Sequence, residues 1–163
     1  MSTATALKPS HSTSQASPTR DEVEIRKLIA AWSRALEAKD LDGLVANYAP
    51  DVLLYDVKPP YKTEGVAAVR RLWEQCLPYF PAAFKSEHAD LKLTVGEDVA
   101  FCHGLHHISP EGEPDHPAGR SWIRVTACYR KVDGRWLTVH EHVSMPFDCM
   151  TGQVASITDP AAA

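Results

Sequence analysis

Apolar positions recur at helical spacing through the first half of the chain and at every second residue through the second half. Ile25, Leu28, Ile29, Trp32, Ala35 and Leu36 share one stripe, which predicts an amphipathic helix with one buried face. Thr19 and Glu22 supply the capping pattern for its start, and it is expected to end near Lys39. A short second helix is predicted from Asp40, a natural N-cap, with Leu41, Leu44, Val45 and Tyr48 on its stripe and Pro50-Asp51 as its stop. Val52 to Tyr55 reads as a strand that runs straight into Asp56. Thr63 is placed to cap a third helix whose stripe is Val66, Val69, Leu72, Trp73, Cys76 and Leu77, ended by Pro78 and Pro81.

From Phe84 onward the period is two. Leu91, Leu93 and Val95 alternate with polar residues, Gly96-Glu97-Asp98 is a tight turn, and Val99 to Ile108 is a strand. Ser109 to Gly119 is a polar loop. Arg120 to Val132 and Arg135 to Met145 are long strands joined by a two-residue Asp133-Gly134 hairpin turn. The predicted architecture is α+β: three N-terminal helices packed in a cone against a highly curved, mainly antiparallel mixed sheet. A pocket is expected between the concave face of that sheet and the first helix.

Face assignment follows from the hairpin. With Val132 opposite Arg135, Cys128 falls opposite Val139, Thr126 opposite Glu141 and Arg124 opposite Val143. These residues share a face with Trp122 and Leu137, and the Leu137, Val139, Val143 run suits a core, so this face is placed inward. A bulge in either strand would reverse the faces beyond it. On the preceding strand, Phe101, His103, Leu105 and His107 are placed inward because Phe101 and Leu105 need burial. Ile123, Val125, Tyr129 and Trp136 then lie on the outer face. That face is apolar enough to predict a homodimer or larger homo-oligomer built through it.

Bulk properties narrow the function. The 163 residues carry a net charge of −4 and no basic stripe, so nucleic-acid binding is not expected. The apolar runs are too short to span a bilayer. No secretory h-region is present, and Cys76, Cys102, Cys128 and Cys149 show no paired spacing, which suits a cytoplasmic protein with reduced thiols. Residues 1–18 and 153–163 read as tails around a domain at 19–152. No Rossmann or phosphate-loop motif occurs, so no cofactor is expected. Nor is a metal: histidines at 103 and 107 on one strand are about 13 Å apart, and no zinc spacing is present.

Asp56 is the first candidate for chemistry, because a carboxylate directly after four apolar residues must be paired, hydrogen-bonded or protonated if buried. Arg124 offers a permanent cation and His103 a proton near neutral pH. Both are candidate catalytic partners. Trp32, Tyr48, Tyr55, Phe101, His107, Trp122, Thr126, Val139 and Glu141 are the candidate pocket residues for a small apolar organic ligand. Arg124 and Glu141 also lie within ion-pair reach across the hairpin.

The Asp40-x-Asp-Gly-Leu-x-x-x-Tyr-Ala-Pro-Asp-Val52 segment, the Glu97-Asp98-Val99-Ala100 turn, the Tyr129-to-Trp136 hairpin and the His140-Glu-His-Val-Ser144 strand together resemble the nuclear transport factor 2-like superfamily, in its SnoaL-like, ketosteroid-isomerase-like branch. The resemblance covers roughly residues 20–152 and implies the cystatin-like α+β barrel. It also implies a cofactor-independent isomerase, cyclase or dehydratase with Asp56 as general base. The family's oxyanion-hole positions fall at Trp32 and at or beside Thr126, so the usual Tyr and Asp donors are absent. The Asp-Gly-x-Trp and His-x-His-x-Ser pattern is similar to the association domain of calcium/calmodulin-dependent protein kinase II, which implies the alternative of a non-catalytic binding or oligomerisation module.

Overall fold

A computed structural model describes residues 17–162 of the chain. The first helix, α1, spans Arg20–Glu37. Thr19 and Glu22 close a reciprocal capping box, with Thr19 Oγ1 accepting from the Glu22 N–H and Glu22 Oε2 from the Thr19 N–H. A five-residue helix, α2, follows at Leu41–Val45, capped by Asp40 through the N–H groups of Asp42 and Gly43. Strands β1 (Tyr48–Tyr55) and β2 (Thr63–Glu64) precede α3 (Val66–Cys76). Four long strands then form a meander: β3 (Phe84–Val95), β4 (Val99–Pro110), β5 (Ile123–Val132) and β6 (Arg135–Ser144).

The strands form one open six-stranded sheet in the order β2-β1-β6-β5-β4-β3. All pairs are antiparallel except β1 with β6, so the sheet is mixed, as expected. Helix α1 packs on its concave face. Ile25, fully buried, meets Ala100, Cys102, Ala127, Tyr129 and Trp136, a side chain whose removal from water is worth about 1.5–3 kcal/mol. Helix α3 closes the other end through Val69 and Leu72 against Tyr48, Val52 and Leu54.

Three local expectations are corrected. Tyr48 belongs to β1 and not to the second helix, because α2 ends at Val45 and the Thr138 N–H then bonds the Asn47 carbonyl, drawing the chain into the sheet. Pro50 lies inside β1 at an irregularity in the β1–β6 ladder between Tyr48 and Leu53, where its missing N–H breaks no pairing. Thr63 caps nothing. It sits in β2, and Gly65 takes the cap position at φ 81°, a conformation that favours glycine.

The hairpin carries the largest correction. Val132 pairs with Arg135 and Tyr129 with Thr138, as the turn predicts, but the register then shifts so that Cys128 pairs with His140, Ala127 with Glu141 and Thr126 with His142. The extra residue is Val139, a β-bulge. The inward face of β5 is therefore Ile123, Val125, Ala127 and Tyr129. On β6 it is Trp136 and Thr138 before the bulge, then Glu141 and Val143 after it. The reason is packing. Trp136 is 2% exposed against α1, and the bulge brings Val143 onto its face. Residues Ile123, Val125, Tyr129 and Trp136 are thus in the interior and do not form the outer surface.

Segment 153–157 folds back on the domain. Phe147 pairs with Val154 and Trp122 with Ile157. The expected tail at 1–18 lies almost wholly outside the described residues. Among the described residues no helix is long and apolar enough to cross a membrane.

Candidate functional site

Between α1, α3 and the concave sheet face lies a cavity of about 490 Å³. Its wall is predominantly apolar, with Leu28, Leu44, Leu54, Val125 and Val143 among the lining residues. The exposed lining residues Val57, Lys58 and Tyr79 mark its mouth.

Of the candidate residues, the structure brings Trp32, Tyr48, Asp56 and Glu141 to this wall. Tyr48 Oη donates to Glu141 Oε2 at 2.7 Å, so a β1 phenol and a β6 carboxyl meet across the parallel pair. Burial pushes the Glu141 carboxyl up to about 7, the nearby charge of Asp56 adds to the rise, and the Tyr48 hydrogen bond opposes it. Burial and the Glu141 carboxyl together raise the Tyr48 phenol well above its ordinary value. Asp56 lies toward the mouth with 15% of its side chain accessible. Its Oδ1 accepts from the Val57 N–H at 2.7 Å and its Oδ2 lies 4.0 Å from Lys58 Nζ.

Trp73, on α3, completes this polar end. The Trp32 and Trp73 rings meet edge to face with centroids 5.8 Å apart. Both indole N–H groups are buried without a hydrogen-bond partner, although both approach the Tyr48 oxygen closely enough to favour its ionised form. Two buried donors beside a phenol and a protonatable carboxyl form a pole rich in hydrogen-bond donors.

The other candidates are not brought together. His103 is exposed, and Phe101, 42% exposed, stacks beside it. Arg124 is exposed on the outer face and makes no ion pair with Glu141, which Tyr48 engages instead. Thr126 pairs with His142 on the outer face. Val139 is the bulge residue. Tyr55, 36% exposed, meets His140 and His142 edge-on. His107 stacks on Trp122 at 4.9 Å and its Nε2 binds the Gly119 carbonyl, so both secure the loop before β5. The inward faces of β4 and β5 are both the reverse of those expected. Unbroken pairing of β4 with β5 puts Ala100, Cys102 and His106 on the face of Tyr129, Ala127 and Ile123. Of the set placed inward, only Leu105 is buried.

Sequence reasoning therefore missed His106 and its neighbour His88, both lining the cavity. Their rings are 4.9 Å apart, and His106 Nε2 lies 2.9 Å from Ser86 Oγ. Burial holds His106 down at about 3, and it lowers His88 as well. The signal was available: both sit on the same alternating phase as Cys102 and Phe84. Among the described residues no cluster of three or more metal-ligating side chains occurs.

Residues 25–148 match the SnoaL-like domain family, and the chain belongs to that family within the NTF2-like superfamily. An NTF2-like protein of unknown function from Pseudomonas putida KT2440 shares 31% identity, covering 86% of this chain and 96% of that one at a TM-score of 0.78. A protein from Streptomyces avermitilis described as a candidate dehydratase of the NTF2-like family has 17% identity, coverage of 81% and 100%, and a TM-score of 0.67. A candidate calcium/calmodulin-dependent protein kinase type II association domain from Thiobacillus denitrificans ATCC 25259 has 24% identity, coverage of 80% and 97%, and a TM-score of 0.60. No curated protein matches.

Proposed function

We propose that the chain is a cofactor-independent proton-transfer enzyme of the isomerase or lyase type, acting on a small apolar molecule that carries a carbonyl. Asp56 is the general base at the mouth. The oxyanion formed when it removes a proton α to the carbonyl is held by Trp32, Trp73 and protonated Glu141, with Tyr48 fixing the carboxyl through the shared hydrogen bond. This donor group takes the place of the clamp first expected from His103 and Arg124. The observation that carries the reading is the Tyr48–Glu141 pair in an apolar wall. Burial keeps a carboxyl protonated up to about pH 7, which turns it from acceptor to donor.

The test is hydrogen–deuterium exchange of the α-protons of 4-phenylcyclohexanone in D2O, followed by NMR. Wild type is expected to exchange them well above the buffer rate. Asp56→Asn should remove that exchange. Glu141→Leu should lower it by about 10²–10³, whereas Glu141→Gln, a permanent neutral donor, should retain most of it. Wild-type exchange at the buffer rate, or undiminished exchange in Asp56→Asn, would overturn the assignment.

A second reading concerns assembly. The outer sheet face carries Tyr55, Phe101 and Val139 beside His103 and His142, which suits docking of a second copy of the chain. Sedimentation of Phe101→Glu against wild type tests this. A wild-type protein that stays monomeric at all concentrations removes it.

A further inference from the structure

We infer that the cavity has a second polar pole, formed by His88 and His106 and held in place by Ser86, which receives a hydroxyl group of the ligand. The inference rests on the proposed reading of the first pole and extends it to the ligand's other end. The ligand class becomes an elongated, uncharged, largely apolar molecule with a carbonyl at one end and a hydroxyl at the other.

The two poles differ in chemistry. The Trp32 and Trp73 N–H groups only donate, so that end matches an acceptor oxygen. The imidazole end both donates and accepts. His106 Nε2 is engaged by Ser86 Oγ, which leaves Nδ1 as its remaining polar atom, and His88 has no hydrogen-bond partner among the described residues while lining the cavity. Whichever tautomer the Ser86 contact selects, one neutral imidazole presents an acceptor or an N–H and the second supplies the complement. A hydroxyl, donor and acceptor in one atom, satisfies both.

The spacing suits one molecule spanning both ends. Glu141 pairs with Ala127, and His106 pairs with Ile123 two strands from β6. That puts their backbones roughly 16 Å apart across the curved sheet, with side chains reaching inward to shorten the gap. Trp32 joins the poles, its N–H belonging to the first and its ring reaching the second. Its ring meets His106 edge to face at 5.7 Å and Trp73 at 5.8 Å. A flat apolar body therefore lies along Trp32 with an oxygen at each end. Burial of His88 and His106 in their neutral forms also excludes a carboxylate or phosphate at that end, because no cation is there to receive it.

The experiment uses three probes: 4-phenylcyclohexanone, 4-(4-hydroxyphenyl)cyclohexanone and 4-(4-oxocyclohexyl)benzoate. Binding is read by quenching of tryptophan fluorescence and by calorimetry. The hydroxyl is expected to tighten binding at least tenfold over the unsubstituted ketone, and the carboxylate to weaken it. In His88→Leu and in His106→Asn the ratio between the hydroxylated and plain ketones should fall toward one. A ratio is used because general damage to the fold lowers both affinities together. If His106→Asn does not fold, His88→Leu decides. Equal affinity of the two ketones for wild type, or a hydroxyl gain that survives His88→Leu, overturns the proposal. Where the plain ketone still binds and exchanges its α-protons, that failure leaves the first pole standing. Where no probe binds, both fall.

Discussion

Tyr48 and Glu141 are 93 residues apart in the chain, yet the phenol donates to the carboxyl at 2.7 Å. The contact exists because β1 enters the sheet beside β6 in parallel, with Tyr48 next to Thr138 and Leu54 opposite Glu141. It works against the burial that raises the Glu141 carboxyl to about 7.

That dependence gives opposed titrations. The Tyr48 bond lowers the Glu141 carboxyl and the Asp56 charge raises it. Tyr48→Phe should therefore move the Glu141 midpoint above about 7, and Asp56→Asn should move it below. Titration of the side-chain carboxyl carbon by NMR reads both. Shifts in the same direction would separate Glu141 from one of these neighbours.

Stability should respond to pH through two groups of opposite sign. Glu141 titrates at about 7 in the fold against an ordinary 4.5. The native chain thus binds more protons between those values, and stability falls as pH rises across that window by roughly 3 kcal/mol. His106 titrates at about 3 against 6.5, so the unfolded chain binds more protons there and stability rises with pH over that range. His88 adds in the same direction. From about pH 4.5 to 6.5 the effects oppose, and the wild-type melting temperature should stay nearly flat. Glu141→Gln should climb across this window and exceed wild type at pH 8. A variant curve parallel to wild type between pH 4.5 and 8 would remove Glu141 from this balance.

Much of this was legible in the sequence. Helix α1 was marked by its capping box and six-residue stripe, and the Asp133-Gly134 turn fixed the first pairs of the hairpin. Asp56 and Trp32 reach the cavity at the positions the family resemblance implied, whereas Tyr48 arrives on β1 rather than on the second helix, and Glu141 because the Val139 bulge turns the distal half of β6 inward. His103, Arg124 and Phe101 do not, because the apolar residues used to choose the inward faces misled: Phe101 stays exposed, and the Leu137, Val139, Val143 run that argued for the Arg124 face is interrupted by the Val139 bulge, which nothing in the local composition marks. His106 lies on the inward face with Ile123 and pairs with His88, and both were passed over once Phe101 and Leu105 had decided the face of β4.

Gly43 makes a test of packing against propensity. A Cβ there would lie 2.6 Å from Asp40 Oδ2 and 2.8 Å from Ala35 Cβ. In an unobstructed helix Gly→Ala is worth up to about 1 kcal/mol in favour of alanine. Here it should instead destabilise by about 1–3 kcal/mol, because α2 cannot withdraw without releasing its Asp40 cap. Chemical denaturation measures the sign. A stabilised Gly43→Ala would show that the α1–α2 corner gives way.

The Val139 bulge has a last implication. Trp136 and Glu141 are five positions apart, an odd interval, and they share a face because the bulge takes up one residue between them. Loss of Val139 alone would leave them four positions apart, an even interval, so a regular ladder would pair the same partners and keep the acid turned toward the hollow. The ribbon thus absorbs one surplus residue at that point without turning its acid away from the hollow.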